Sequence, residues 1–307
     1  MNAMQPDISK ITIGNNIERI KRFIAEAITE PRIKIREWSK ITNQTPNLKI
    51  GYPGQHLASL ITGIPGTATG ARGKDIADGT EVKSCSRVDQ VDKCKDCESN
   101  VMRSQTFCPA CGSTNIKRNN DSKWLIAVRS EEELEMYLKE IPRTLLLISD
   151  YPNFKEADYT TLRISAFEIW NRSDRASAFR KLLEDYYYNY YLTHIKTQKK
   201  APAPKNFWPY SYQFYFCNPI KTFDCMIYNA DTRPKIEIMH FIDPKKDRSQ
   251  LPSEDMPTAL LKKKEKAILK KLHVNIDSME YIDEKIRANL QLRNDSKPVT
   301  QKKKYHR

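Results

Sequence analysis

Three side chains in the segment Lys74-Asp75-Ile76-Ala77-Asp78-Gly79-Thr80-Glu81-Val82-Lys83 could do hydrolytic chemistry together: Asp75, Glu81 and Lys83. Two neighbouring carboxylates can bind a hard divalent cation such as Mg2+, which prefers oxygen ligands. An ammonium beside the attacking water completes what phosphodiester cleavage needs, namely an oriented nucleophile and a stabilised leaving oxygen. Whether the three converge depends on a turn. If Ala77-Asp78-Gly79 is a three-residue loop with Gly79 left-handed, Ile76 pairs with Thr80 and Asp75 stands opposite Glu81. Strand alternation then puts Asp75, Glu81 and Lys83 on one face, with Ile76, Thr80 and Val82 turned toward a core. A two-residue Asp78-Gly79 loop would pair Ile76 with Glu81 and break that convergence. Glu81 and Lys83 share a face under either turn.

Asp/Glu-x-Lys is common in a charged chain, and four other copies start at Asp121, Asp243, Asp283 and Asp295. None of them has an acid upstream on a pairing strand beside a glycine-rich stretch. Seven of the nine glycines fall in residues 51–79, where backbone can approach a ligand closely. Carboxylates opposed on a hairpin destabilise it unless a cation intervenes. A sequence that accepts that conflict points to a site.

The second constellation is Cys94-Lys-Asp-Cys97 with Cys108-Pro-Ala-Cys111. Each Cys-x2-Cys pair curls two thiolates toward one point, and two pairs complete a tetrahedral Zn2+ shell. All four ligand positions are filled, so the site reads as structural. Cys85, Cys217 and Cys225 are scattered and read as buried thiols. An odd total of seven argues against a secreted disulfide scaffold.

Charge indicates a partner. The 307 residues carry a formal charge of +14, and Lys and Arg that displace condensed counterions supply most non-specific affinity for DNA. Candidates to contact it are Arg72 in the glycine-rich stretch, and Ser84, Ser86, Arg87, Asp89 and Gln90 between the carboxylates and the cysteines. Arg103, Lys117 and Arg118, within or beside the cysteine insertion, join them. Arg and Gln can make bidentate contacts to base edges.

These residues need a scaffold. Apolar spacing predicts a packing helix over 15–30 ended by Pro31, and a short helix over 56–62 ended by Gly63. After the hairpin and a cysteine-rich insertion comes an apolar strand at 124–128. A helix capped by Ser130 with Glu133 follows, then a strand at 144–149. Residues 172–196 read as helix, with the tyrosines of 186–191 as core or dimer interface. Strands are expected at 207–217, 220–229 and 234–242, and helices at 257–272 and 278–292, the second capped by Asp277. Residues 296–307 read as a basic tail. No apolar run approaches the ~18 residues of a membrane helix. The opening residues carry no signal pattern, so a cytoplasmic location is expected.

The string Gly70-Ala-Arg-Gly-Lys-Asp75-Ile-Ala-Asp-Gly-Thr-Glu81-Val-Lys83-Ser84 resembles the active-site hairpin of the PD-(D/E)XK nuclease superfamily, in detail that of type II restriction endonucleases. The resemblance covers about a third of the chain. It implies a core of helix, three strands, helix and strand, filled by 55–62, the hairpin, 124–128, 131–140 and 144–149. It also implies Mg2+-dependent cleavage of duplex DNA, with Asp75 and Glu81 as ligands and Lys83 orienting the water. The sequence departs from the family in having Lys74, not Pro, before Asp75. The short spacing from Asp75 to Glu81 makes Asp78 a rival first ligand.

The expected fold is therefore α/β (α+β): a restriction-endonuclease-like core with a mixed sheet, a zinc-ribbon-like insertion at about 90–118, and a further α+β region. The expected division is an N-terminal helical region (1–50), a nuclease core (51–150), a DNA-binding and dimerisation region (151–295) and the tail. A homodimer would suit a palindromic site.

Overall fold

The computed structural model describes residues 4–46, 50–68 and 74–294, so Arg72 and the basic tail lie outside the described residues. Helix α1 (Asn16–Ile24) passes through one wide π turn (Ala25–Thr29) into α2 (Glu30–Thr42). The stop expected at Pro31 does not occur. Pro31 lies in the first turn of α2, where a missing N–H is tolerated. The wide turn just before it has already shifted the hydrogen-bond register, with Glu30 N–H bonding to the Ala25 carbonyl. Helix α3 (Gly51–Thr62) ends at a left-handed Gly63, as its glycine predicts.

Strand β1 (Glu81–Ser86) leads into three short strands, β2 (Asp92–Cys94), β3 (Asn100–Val101) and β4 (Ile116–Lys117), which form their own sheet in the order β3-β2-β4. Then follow β5 (Trp124–Ile126), α4 (Glu131–Glu135) with a π turn to Glu140, and β6 (Thr144–Asp150). Ser130 caps α4, its hydroxyl accepting the Glu133 amide at 3.2 Å. Beyond β7 (Leu162–Ile169), α5 (Ser177–Glu184) runs through Asp185–Tyr191 into α6 (Leu192–Gln198). The chain continues with β8 (Lys205–Phe207), α7 (Tyr212–Phe216), β9 (Ile220–Tyr228) and β10 (Lys235–Phe241). The last described elements are β11 (Met256–Pro257), α8 (Lys263–Lys271), β12 (Tyr281–Ile282) and α9 (Glu284–Arg287).

The central sheet is mixed and five-stranded, in the order β1-β6-β7-β9-β10. Strand β1 runs parallel to β6, with Glu81 opposite Thr144, and the remaining pairs are antiparallel. A parallel pair needs a crossover, and the cysteine-rich insertion with α4 supplies it. All seven residues of β6 are buried. Leu145 and Leu147 pack with Leu57, Ile61 and Ile164, while Leu146 and Ile148 pack with Trp124, Tyr137 and Phe214. Burial on both faces is why this strand reads as an unbroken apolar run. Residues 51–150 contribute β1 and β6 and residues 151–295 contribute β7, β9 and β10, so position 150 falls between hydrogen-bonded neighbours in one sheet.

Several expected elements differ. Strand 124–126 pairs with β8 outside the central sheet, although the Trp124 indole N–H reaches the Leu147 carbonyl at 2.7 Å. Residues 207–217 are not one strand: Pro209 and Tyr210, the latter at φ 57°, break it, and Ser211 caps the all-buried helix α7. Helix α8 starts only at Lys263, and the last helix is four residues long, capped by Asp283 rather than Asp277. Among the described residues no helix is long and apolar enough to cross a membrane.

Candidate active site and cysteine knuckle

The turn before β1 has three residues. Gly79 N–H bonds to the Ile76 carbonyl at 2.8 Å, Ile76 N–H bonds to the Thr80 carbonyl at 3.2 Å, and Gly79 is left-handed with φ 89°. Among the described residues its upstream arm, 74–76, is not a strand and forms no ladder with β1. After Thr80 the chain turns to β6, with Glu81 N–H on the Arg143 carbonyl at 3.1 Å. Asp75 meets β1 through its side chain, one carboxylate oxygen accepting Val82 N–H at 2.8 Å. Its other oxygen accepts the Gln55 amide of α3 at 2.8 Å. Lys74, just before, has φ 59°, a value proline cannot take, so the departure from the family's Pro is built into the backbone.

Asp75, Glu81 and Lys83 come together by this route. Burial raises the Asp75 carboxyl above the usual aspartate range, and the charge of Glu81 adds to the shift. The Val82 hydrogen bond and the Lys83 charge oppose it. Lys83 Nζ is ion-paired with Glu81 Oε1, and the Tyr137 hydroxyl lies 3.4 Å from the same oxygen. Burial, then Glu81, pushes the Tyr137 phenol well above its ordinary value, so it remains a neutral donor. Glu81 is only 4% exposed, and its Oε2 has no hydrogen-bond partner among the described residues. An unpaired buried carboxylate oxygen is costly. Beside a second carboxylate, it fits a cation ligand.

Asp78 is engaged elsewhere. Its Oδ2 accepts from Arg143 at 2.9 Å and its Oδ1 from Thr80 N–H at 3.0 Å. A buried guanidinium thus already holds this rival for the first ligand position. Gln55, Tyr137 and Arg143 were not singled out by sequence. Tyr137 was visible only as part of an apolar helix face, and Gln55 and Arg143 carried no spacing signal.

In the insertion the four Sγ atoms of Cys94, Cys97, Cys108 and Cys111 lie within 4.8 Å of one another. The pairs Cys94···Cys111 and Cys97···Cys108 are 3.7 and 3.6 Å apart. Those separations are far too long for a disulfide and close to the ~3.8 Å edge of a tetrahedron with Zn–S bonds of about 2.3 Å. The two halves are built alike. Glu98 N–H bonds to the Cys94 carbonyl and Gly112 N–H to the Cys108 carbonyl, and both residues are left-handed. Hydrogen bonds from Ser99 pull the Cys97 thiol down while the neighbouring cysteines push Cys111 up, as expected of thiols crowded together.

Several expected DNA contacts are instead internal fasteners. Asp92 is fully buried and takes Arg103 at 3.0 Å and Arg118 at 2.8 Å. Arg103 is 3% exposed and lies over the rings of Phe154 and Tyr159, 5.1 and 5.0 Å from their centres. Arg87 is buried on the carbonyls of Ser122 and Pro209. Asp89 is buried between Arg32 at 2.6 Å and Tyr151 at 2.8 Å. Arg103 and Arg118 thus meet a buried acid that sequence does not pair with them. Ser84 Oγ is enclosed without a partner among the described residues, Ser86 Oγ accepts Val88 N–H, and Gln90 bridges Ser86 and Asp121. Lys117 is exposed on β4.

The mixed sheet with helices on both faces is a restriction-endonuclease-like α+β fold. Residues 37–259 match the profile of the MamI restriction endonuclease family. The chain belongs to that family. It is 27% identical over 86 residues to the Type II restriction enzyme MamI of Microbacterium ammoniaphilum, a match that spans 28% of this chain and 28% of that relative. No solved structure matches the chain.

Proposed function

We propose that this protein is a type II restriction endonuclease, hydrolysing both strands of double-stranded DNA at a specific sequence with Mg2+ as its catalytic cation. The observation that carries the reading is Glu81 Oε2, a buried carboxylate oxygen without a partner among the described residues, in a cluster with Asp75 and Lys83. Asp75 and Glu81 would offer oxygens to the cation. When bound, Mg2+ would stabilise negative charge growing on the cleaved phosphate and its departing oxygen. Lys83 keeps its ammonium against Glu81 Oε1, where it limits repulsion between the two acids and can orient the attacking water. Tyr137 donates to the same oxygen and holds Glu81 in place.

The four cysteines would hold Zn2+ in a closed shell with no position left for substrate, so its role is to fold the insertion. A homodimer would match the two-fold symmetry of a palindromic DNA site, and the cytoplasm is the compartment such an activity implies. The test is incubation of the purified protein with plasmid and phage DNA and Mg2+. Discrete fragments that reproduce between preparations are expected. DNA left intact across metals and salts would overturn the reading, and a smear without preferred ends would remove its site-specific part.

A further inference from the structure

The turn that ties Asp75 to Glu81 is gripped from outside by one residue. Arg143, just ahead of β6, is 1% exposed. Its Nε donates to Thr80 Oγ1 at 2.7 Å, its Nη2 to Asp78 Oδ2 at 2.9 Å, and its Nη1 to Glu168 Oε1 at 3.0 Å. Its own carbonyl accepts Glu81 N–H at 3.1 Å. Glu168, fully buried, is anchored in turn by the Trp170 indole at 2.9 Å. Arg143 thus holds the tip of the turn, its last residue and the first residue of β1 at once. The only covalent path between the two carboxylates runs through that turn.

We propose that Arg143 is a positioning residue that sets the spacing of Asp75 and Glu81 and thereby the affinity of the site for its divalent cation. This rests on the reading of that pair as cation ligands. The mechanism is geometric. Two acids held close together repel one another. Without a rigid turn they would relax apart when no cation is bound, and each binding event would have to reassemble them. A guanidinium fork suits this task because two of its donors reach two acceptors of one turn in fixed directions; a lysine ammonium lacks that planar geometry. Asp78 accordingly serves the site from behind, as the acceptor that gives Arg143 its hold.

The test separates positioning from folding. Ca2+ binding is measured by calorimetry on wild type and on Asp78→Asn and Thr80→Val, with melting temperature and cysteine-bound metal content measured in parallel. Thr80→Val keeps every charge and nearly the same shape, so it carries the test should Asp78→Asn fail to fold. The expected result is Ca2+ affinity weakened at least ten-fold in each folded variant, with cysteine-bound metal unchanged. Arg143→Lys should lie beyond both. A Thr80→Val protein that binds Ca2+ with wild-type affinity would overturn the proposal. Wild-type protein that binds no Ca2+ or Mg2+, or binds it equally well as Glu81→Ala, would instead overturn the carboxylate site on which the proposal rests.

Discussion

The chain offers two sets of side chains that could ligate a metal, and they are built in opposite ways. The cysteine knuckle gathers four ligands from 18 consecutive positions, Cys94 to Cys111, through two similar turns that need little outside help. The carboxylate site has its two acids only six positions apart, yet they meet through the rest of the molecule: Gln55 from α3, Tyr137 beyond α4, and Arg143 ahead of β6. The knuckle's ligands form a closed set. The carboxylate cluster leaves a buried oxygen unpaired. A closed set suits a staple. An unpaired oxygen beside a like charge suits a site whose stability is completed by a ligand.

That contrast can be broken most sharply at Glu81. Glu81→Ala should reduce cleavage at least ~1,000-fold, as loss of a transition-state contact of several kcal/mol implies, while DNA binding in Ca2+ stays within a few-fold of wild type. Cleavage at the wild-type rate would place the chemistry elsewhere. Cys108→Ser, in the buried half of the knuckle, should act on the other side of the comparison. Bound zinc should fall from about one equivalent toward none, and melting should drop by roughly 5–10 °C, as losing a few kcal/mol would produce. Full zinc retention would refute the four-thiolate shell.

A smaller effect concerns pH. The folded Asp75 carboxyl sits above its ordinary value of about 3.9. Its contribution to stability is therefore present below that pH and is lost as pH rises through the raised folded value. Without added Mg2+, wild type should lose stability relative to Asp75→Asn over that rise, and Mg2+ should restore it. A melting difference between the two proteins that does not change with pH would contradict the repulsion described for the site. The smallest effect is expected at the exposed Lys117 on β4. If the outer face of the knuckle meets phosphate, Lys117→Ala should lower the slope of log affinity against log salt by about one. An unchanged slope would confine the knuckle to a folding role.

What could be read ahead of the fold follows the same division. The knuckle was legible because its ligand types and spacing are enough to converge without long-range contacts. Glu81 and Lys83 were legible because alternation along a strand puts them on one face whatever that strand pairs with. Asp75 was legible as a partner, but through the wrong construction: its carboxylate caps Val82 N–H in place of a hairpin ladder, and no local pattern distinguishes those two. The partners of the DNA-contact candidates were not legible at all. Arg87, Asp89, Arg103 and Arg118 read as surface charges, yet each is committed to internal contacts with partners such as Asp92, Arg32 and the Pro209 carbonyl.

Local chemistry in this chain therefore settles residue types and strand alternation, since these depend on interactions across a few positions. The turn before Glu81 was open in sequence between two and three residues; in the fold it has three, with Gly79 left-handed. Only the tertiary structure decides which cation each buried acid meets. Burial and long-range ion pairs assign Asp78 to Arg143, Asp89 to Arg32 and Asp92 to Arg103, leaving the Lys83 ammonium to offset both Asp75 and Glu81. Neutralising a buried acid requires a cation within a few ångströms in space, and that distance bears no fixed relation to separation along the chain.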